Sequence, residues 1–238
     1  MNVLISNLYS SCQLCELDVD RHPVSVGSGC LVRLPDTRLL LLTVSQVTGN
    51  HGNWAIQLSY DSARGSVCYQ IGTLNYLARL TLREATATDV DFAYALVPSD
   101  LQAFRDELTS DGQVISHHPV AIFDWPSQAT PSAGDSFSFA GTVLAAMHTN
   151  PVDPARPILA SELRAYTDLS YIRREGDFHV FGLPFPHPGH EHFQGCSGAP
   201  IISSTGIPVG LVSSGRTDTH ELFGLALDHY LPIVQATL

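Results

Sequence analysis

The sequence contains no lysine: all 12 basic residues are arginines, set against 23 acidic residues, for a formal charge of −11. Nucleic acids and anionic membrane surfaces are held by concentrated positive charge. The densest basic spot here is only Arg173-Arg174, so neither is an expected partner. Long apolar runs are missing too. The longest aliphatic stretch, Leu39-Leu40-Leu41-Leu42, falls far short of the roughly 18–20 residues that cross a bilayer as a helix. The opening Met1-Asn2-Val3-Leu4-Ile5 has no basic leader and soon meets Asn7, Ser10 and Ser11. It does not read as a secretory signal, and a soluble chain that keeps its N-terminus is expected. Cysteine is sparse and odd in number. Cys12, Cys15, Cys30, Cys68 and Cys196 cannot all pair within one chain, which suits reduced thiols and a cytoplasmic setting. Cys12-x-x-Cys15 has no second Cys-x-x-Cys, so a four-thiolate zinc site is not expected.

Helical periodicity is also scarce. A chain of 238 residues that is 44% hydrophobic and only 15% charged can fill a core, which argues against disorder. Short apolar stretches recur between turn residues at 24–32, 38–47, 54–60, 67–71, 78–82 and 92–97. A second set follows at 119–123, 136–144, 178–182, 199–203, 209–213 and 222–227. Many short strands at regular spacing predict an all-β architecture. The two sets divide one domain, 1–238, into an N-terminal half over 1–100, a connector over 101–118 and a C-terminal half over 119–238. Residues 99–108 have a helix-like pattern that breaks at Asp111-Gly112, and 166–174 read as a surface loop. Leu231, Ile233, Val234 and Leu238 are spaced as the apolar side of a short terminal helix.

Chemistry concentrates in Gly195-Cys196-Ser197-Gly198-Ala199-Pro200. A serine between glycines can sit on a sharp turn, where small neighbours admit a carbonyl and the Gly195 and Ser197 amides converge on a developing oxyanion. Alone, the hexapeptide is equally an ordinary Gly/Pro turn. Three further motifs give it context. Gly27-Ser28-Gly29-Cys30-Leu31-Val32 leads into Leu41-Leu42-Thr43-Val44-Ser45-Gln46-Val47; Asp91-Phe92-Ala93-Tyr94-Ala95-Leu96 puts an acid at the head of a buried strand; Gly210-Leu211-Val212-Ser213-Ser214-Gly215 offers a strand with a polar edge. In this order the four resemble the trypsin-like (chymotrypsin-like) serine proteases over roughly 24–238.

That resemblance implies two antiparallel six-stranded β-barrels with a short C-terminal helix, a cleft between them, and acyl transfer on protein or peptide substrates without cofactor or metal. Ser197 matches the nucleophile, the Gly195 and Ser197 amides the oxyanion hole, and Asp91, rather than Asp89, the acid that orients the base. Ser213, Ser214 and Gly215 match the segment that pairs with substrate backbone as an added strand. Glu191 falls at the base of the primary pocket with Gln194 nearby. There it would favour Arg or Lys side chains by charge pairing, unless it belongs to a solvated loop. Cys196 stands where secreted digestive relatives carry an acid that pairs with a newly cut N-terminal amine, so no activation of that kind is expected.

One departure is decisive. The run Thr43-Val44-Ser45-Gln46-Val47 places Gln46 where the family has its histidine, 45 residues before Asp91 as the pattern requires. A glutamine amide has no usable basicity, whereas imidazole titrates at about 6.5. Loss of one triad member costs roughly 10⁶-fold in turnover, so this chain is expected to be a very poor hydrolase. Two readings stay open: a peptidase whose base was replaced, by engineering or recent loss, or a natural pseudoprotease that keeps its cleft for peptides or for a partner protein in a larger assembly. His51, in the loop after Gln46, is not expected to take over. A zinc site at His190 and His192 lacks a third ligand.

Overall fold

Leu39, Leu40, Leu41 and Leu42 are all fully buried, yet they serve two different cores. Side chains alternate along a strand, so Leu39 and Leu41 join the interior of the N-terminal half while Leu40 and Leu42 face the C-terminal half. The computed structural model describes residues 7–49, 52–61, 65–81, 85–108, 113–126, 130–148, 153, 158–187, 189 and 193–238. His51, Glu191, His190 and His192, as well as the Asp111-Gly112 break, lie outside the described residues.

The N-terminal half holds β1 (Cys12–Leu17), β2 (Pro23–Arg33), β3 (Leu39–Thr43), a single helical turn α1 (Ser45–Thr48), β4 (Asn53–Asp61), β5 (Gly65–Gln70), β6 (Asn75–Thr81) and β7 (Thr86–Val97). After it come β8 (Phe104–Leu108), β9 (Val114–Pro119) and β10 (Ile122–Asp124). The C-terminal half comprises β11 (Ser136–His148), β12 (Ile158–Glu175), β13 (Phe178–Gly182), β14 (Pro200–Ser203), β15 (Pro208–Arg216), β16 (Glu221–Ala226) and the helix α2 (Leu227–Thr237).

The C-terminal half closes into a six-stranded antiparallel barrel, β11-β12-β13-β16-β15-β14. The N-terminal half forms a sheet ordered β5-β4-β1-β2-β3-β7-β6, to which β10 adds beside β2 in parallel. This half therefore carries eight strands rather than six. Its eighth strand comes from beyond the connector, at Ile122↔Leu31, Phe123↔Val32 and Asp124↔Arg33.

Three cores follow from this layout. Leu14, Leu31, Leu39, Leu41, Trp54 and Ile56 fill the first half. Phe137, Phe139, Leu169, Phe181, Ile201 and Leu222 fill the barrel. The third core joins Val32, Leu40, Leu42 and Phe92 to Leu211 and Leu225 of the barrel and to Leu227, Tyr230, Leu231 and Val234 of α2. Each such buried side chain stabilises the seam by ~1.5–3 kcal/mol, which holds the two halves in a fixed relation.

Two local expectations are corrected. Residues 104–108 form a strand, not a helix: Phe104 stacks on His117 at 3.9 Å, Arg105 is buried, and the Asp106 carboxylate accepts the Tyr60 N–H, so tertiary contacts override the local pattern. Residues 166–174 are not a loop but part of β12, with Tyr166 and Leu169 buried in the barrel.

Candidate active site

Gly27 opens the geometry of the cleft. A Cβ there would lie 2.4 Å from Val47 Cγ1, so only glycine lets α1 rest on β2. α1 in turn carries Gln46 above the seam. Its neighbour Ser45 donates from Oγ to Asp91 Oδ1 at 3.0 Å, and the Gln46 N–H donates to the same oxygen at 2.9 Å.

Asp91 lies where the β6–β7 ladder breaks, between the Tyr76↔Ala93 and Ala78↔Asp89 pairs. Its second oxygen, Oδ2, accepts Ser213 Oγ–H at 2.6 Å. Ser213 can reach it because β15 bulges: Val212 pairs with Gly224 and Ser214 with Phe223, which leaves Ser213 as the extra residue. The partly buried Asp91 carboxylate is thus held by three donors from two halves of the molecule.

The Gln46 side chain extends from this anchored backbone to Ser197. Its Nε2 donates to Ser197 Oγ at 3.3 Å and, over a shorter contact, to the Ser213 carbonyl. A carbonyl oxygen only accepts, so the atom facing it must be the amide nitrogen.

Ser197 rides on a turn that both glycines make possible. Gly195 has φ +96° and Gly198 φ +86°; Cβ atoms there would lie 2.4 Å from Thr142 O and 2.1 Å from Ser28 O. Cys196 N–H donates to Phe193 O and Gly198 N–H to Val212 O. Among the described residues neither the Gly195 nor the Ser197 N–H has an acceptor. Two free amides flank the serine hydroxyl, the arrangement that receives a negative oxygen.

A cleft of about 270 Å³ runs along this turn, lined by Gln46, Gln194, Gly195, Ser197, Ser213, Ser214 and Gly215. Glu16, Trp54, His187, Phe193 and Leu222 also line it. Beyond Leu211, β14 no longer pairs with β15, so residues 213–215 present an edge toward the cleft. Gly215 has no side chain to intrude, and a Cβ there would meet His187 Nε2 at 2.6 Å. Glu191, expected at the base of the primary pocket, is among the residues left undescribed.

Three buried cysteines are poor nucleophiles. Cys196 is fully buried, and desolvation pushes its thiol up to about 12, so it stays protonated near neutral pH. Cys12 is likewise pushed to about 12 by burial, and Cys30 is raised well above the usual range. Cys12 and Cys15 lie in different apolar clusters on opposite sides of β1, so they cannot clasp one ion.

Sequence reasoning gave Ser28 and Ser45 no role. Ser28 is fully buried: its N–H donates to Ser197 O at 3.0 Å, its Oγ to Gly195 O at 2.7 Å, and its own carbonyl accepts Thr43 Oγ1–H at 2.8 Å. A polar residue between two glycines in a buried strand was the available signal. Ser45 was visible only as the neighbour of Gln46.

No protein-family profile and no curated protein sequence matches this chain. Solved structures do resemble it. Human heparin binding protein is similar over 97% of this chain and 91% of its own, at 14% identity and a TM-score of 0.58. A serine endoprotease from Yersinia pestis is similar over 98% of this chain and 64% of its own, at 10% identity and a TM-score of 0.56. A mutant of human heparin binding protein gives 16% identity and 0.54 over 94% and 89%. At these identities the likeness establishes the fold, which is chymotrypsin-like.

Proposed function

We propose that this cleft is a serine endopeptidase site for acyl transfer on protein substrates, in which Gln46 occupies the place of the general base and leaves the chain inactive or strongly impaired. One observation carries the reading. Residue 46 is tied to both partners across the seam, its backbone N–H donating to the Asp91 carboxylate and its side-chain Nε2 to Ser197 Oγ. A general base at position 46 would take the Ser197 proton as Oγ attacks a carbonyl carbon. The Gly195 and Ser197 amides would hold the resulting oxyanion, and Asp91 would orient the base and balance its acquired charge. No cofactor enters these steps. The serine endoprotease among the structural neighbours is consistent with this assignment.

The test is Gln46→His, assayed on a broad protein substrate such as labelled casein. Appearance of peptidase activity, abolished by a serine-directed phosphonate, supports the reading. A folded His-containing chain no more active than the parent overturns it.

The hydrogen bonds of Gln46 favour a second reading, in which the chain binds peptides without cutting them. The amide fills the base position and satisfies both Ser213 O and Ser197 Oγ. The five free cysteines, four of them buried, support a reducing, cytoplasmic setting for either reading.

A further inference from the structure

The Ser197 hydroxyl has lost the acceptor that a base would supply. In an imidazole-containing site the serine proton points at the ring nitrogen. Here Gln46 Nε2 uses its hydrogens on Ser213 O and Ser197 Oγ, and an amide nitrogen accepts nothing. Ser197 Oγ therefore accepts from Gln46 and must aim its own proton elsewhere. No described residue takes that proton. The open direction is the cleft, which Ser197 lines together with Gly195.

Three donors without a described acceptor thus sit on one turn that lines the cleft: the Gly195 N–H, the Ser197 N–H and the Ser197 O–H. They call for a group with two acceptor oxygens side by side.

Behind the turn lies a cation with no anion bonded to it among the described residues. Arg105 is 8% exposed and bonds only neutral oxygens. Its Nε donates to Ser11 O, its Nη1 to Gln13 Oε1 at 2.8 Å and to Thr142 Oγ1 at 2.9 Å, and its Nη2 to Ser11 Oγ. Thr142 is fully buried, and its carbonyl lies directly under Gly195 while accepting, weakly, the Cys196 thiol. Arg105 is accordingly separated from the turn by one residue. Burial lowers its pKa to about 10, so the charge persists at neutral pH. A buried guanidinium among neutral acceptors projects an unscreened positive field. Glu16, which lines the cleft, opposes an anion there, and the Arg105 charge offsets it.

We propose that the Gly195–Ser197 turn is a receptor for the free C-terminal carboxylate of a peptide, one oxygen on the two amides and the other on the Ser197 hydroxyl, with Arg105 as the positive charge behind it. This rests on the binding reading, with Gln46 taken as it stands. A carboxylate gains charge-assisted bonds from all three donors, whereas a C-terminal amide offers one acceptor oxygen and turns an N–H₂ toward the hydroxyl.

The experiment uses two pools of dye-labelled hexapeptides with randomised sequence, one ending in a free carboxylate and the other in an amide. Both are titrated into the full chain by fluorescence anisotropy. The carboxylate pool is expected to bind at least 10-fold more tightly than the amide pool. Ser197→Ala, at a half-exposed position, is expected to cut that ratio at least 3-fold, and Arg105→Gln to bring it near unity, each in protein that keeps a cooperative melting transition. Equal binding of the two pools, or a ratio unmoved by Ser197→Ala, overturns the carboxylate assignment and leaves a peptide-binding cleft standing. No binding by either pool overturns both. Activity of the Gln46→His chain decides the peptidase reading independently.

Discussion

Gln46 Nε2 and Ser197 Oγ stand 3.3 Å apart across the seam, with the Asp91 carboxylate on the far side of residue 46. Asp91 holds residue 46 by its backbone N–H, and the side chain that reaches Ser197 ends in an amide that cannot titrate. The surroundings are those a base would need: an orienting carboxylate below it and a hydroxyl before it. The consequences of a base at residue 46 can be measured in a Gln46→His chain.

In a Gln46→His chain, Asp91→Asn is expected to reduce kcat by ~10⁴-fold with little change in KM, because the ring would lose its orienting partner and the counter-charge for its protonated form. Steady-state kinetics on a short chromogenic peptide decide this. A loss confined to KM would remove Asp91 from the orienting role.

Ser213→Ala in the same background removes the 2.6 Å bond to Asp91 Oδ2. Hydrogen bonds to charged groups are worth ~1.5–3 kcal/mol, so kcat is expected to fall by roughly 10–100-fold. Ser45→Ala, which removes the 3.0 Å bond to Oδ1, should act in the same direction and couple with it in a double-mutant cycle.

Gly198→Ala should destabilise the fold whatever the state of the site. Its φ of +86° and a would-be Cβ 2.1 Å from Ser28 O leave the new methyl no space. A cost of ~2 kcal/mol or more is expected, seen as a fall of roughly 4–8 °C in Tm by calorimetry.

His179 ties stability to pH. It is buried, with Nε2 3.1 Å from Asp228 Oδ1, and burial holds its pKa below the ordinary 6.5 despite that carboxylate, with Arg174 pushing the same way. The folded state therefore binds this proton less readily than the unfolded chain. Its contribution is fully present above pH ~6.5 and is lost as pH falls through the depressed folded value. Tm should drop between pH 6.5 and 5, and His179→Gln should flatten that part of the curve.

Iodoacetamide at pH 8 is expected to leave Cys12, Cys30 and Cys196 unmodified in the folded chain and to label all five cysteines once it is unfolded in urea. Burial raises Cys12 and Cys196 to about 12 and Cys30 well above the usual range, so these thiols supply almost no thiolate. Peptide mapping by mass spectrometry reads the outcome directly.

The sequence showed whatever depends on neighbours along the chain. Gly195 and Gly198 around Ser197 announced a turn, and the short apolar stretches at 38–47 and 92–97 announced strands. The helix at 227–237 was also visible in its apolar spacing. Hidden were features that exist only when distant segments meet. Ser28 clasps the turn from 167 residues away. Ser213 owes its place to a bulge defined by a partner strand, and Arg105 sat in a stretch whose local pattern suggested a helix. The parallel pairing of β10 was hidden for the same reason, since its partner β2 lies roughly 90 residues earlier.

That parallel strand has a bearing on synthesis. A nascent polypeptide emerging from the ribosome cannot finish its first sheet when β7 appears; it must wait for Ile122–Asp124, about 25 residues further on. A truncation placed at the sequence connector would strand an unsatisfied edge on β2, whereas one placed after Asp124 would release a complete sheet. Dissection of the molecule into autonomous pieces should begin there.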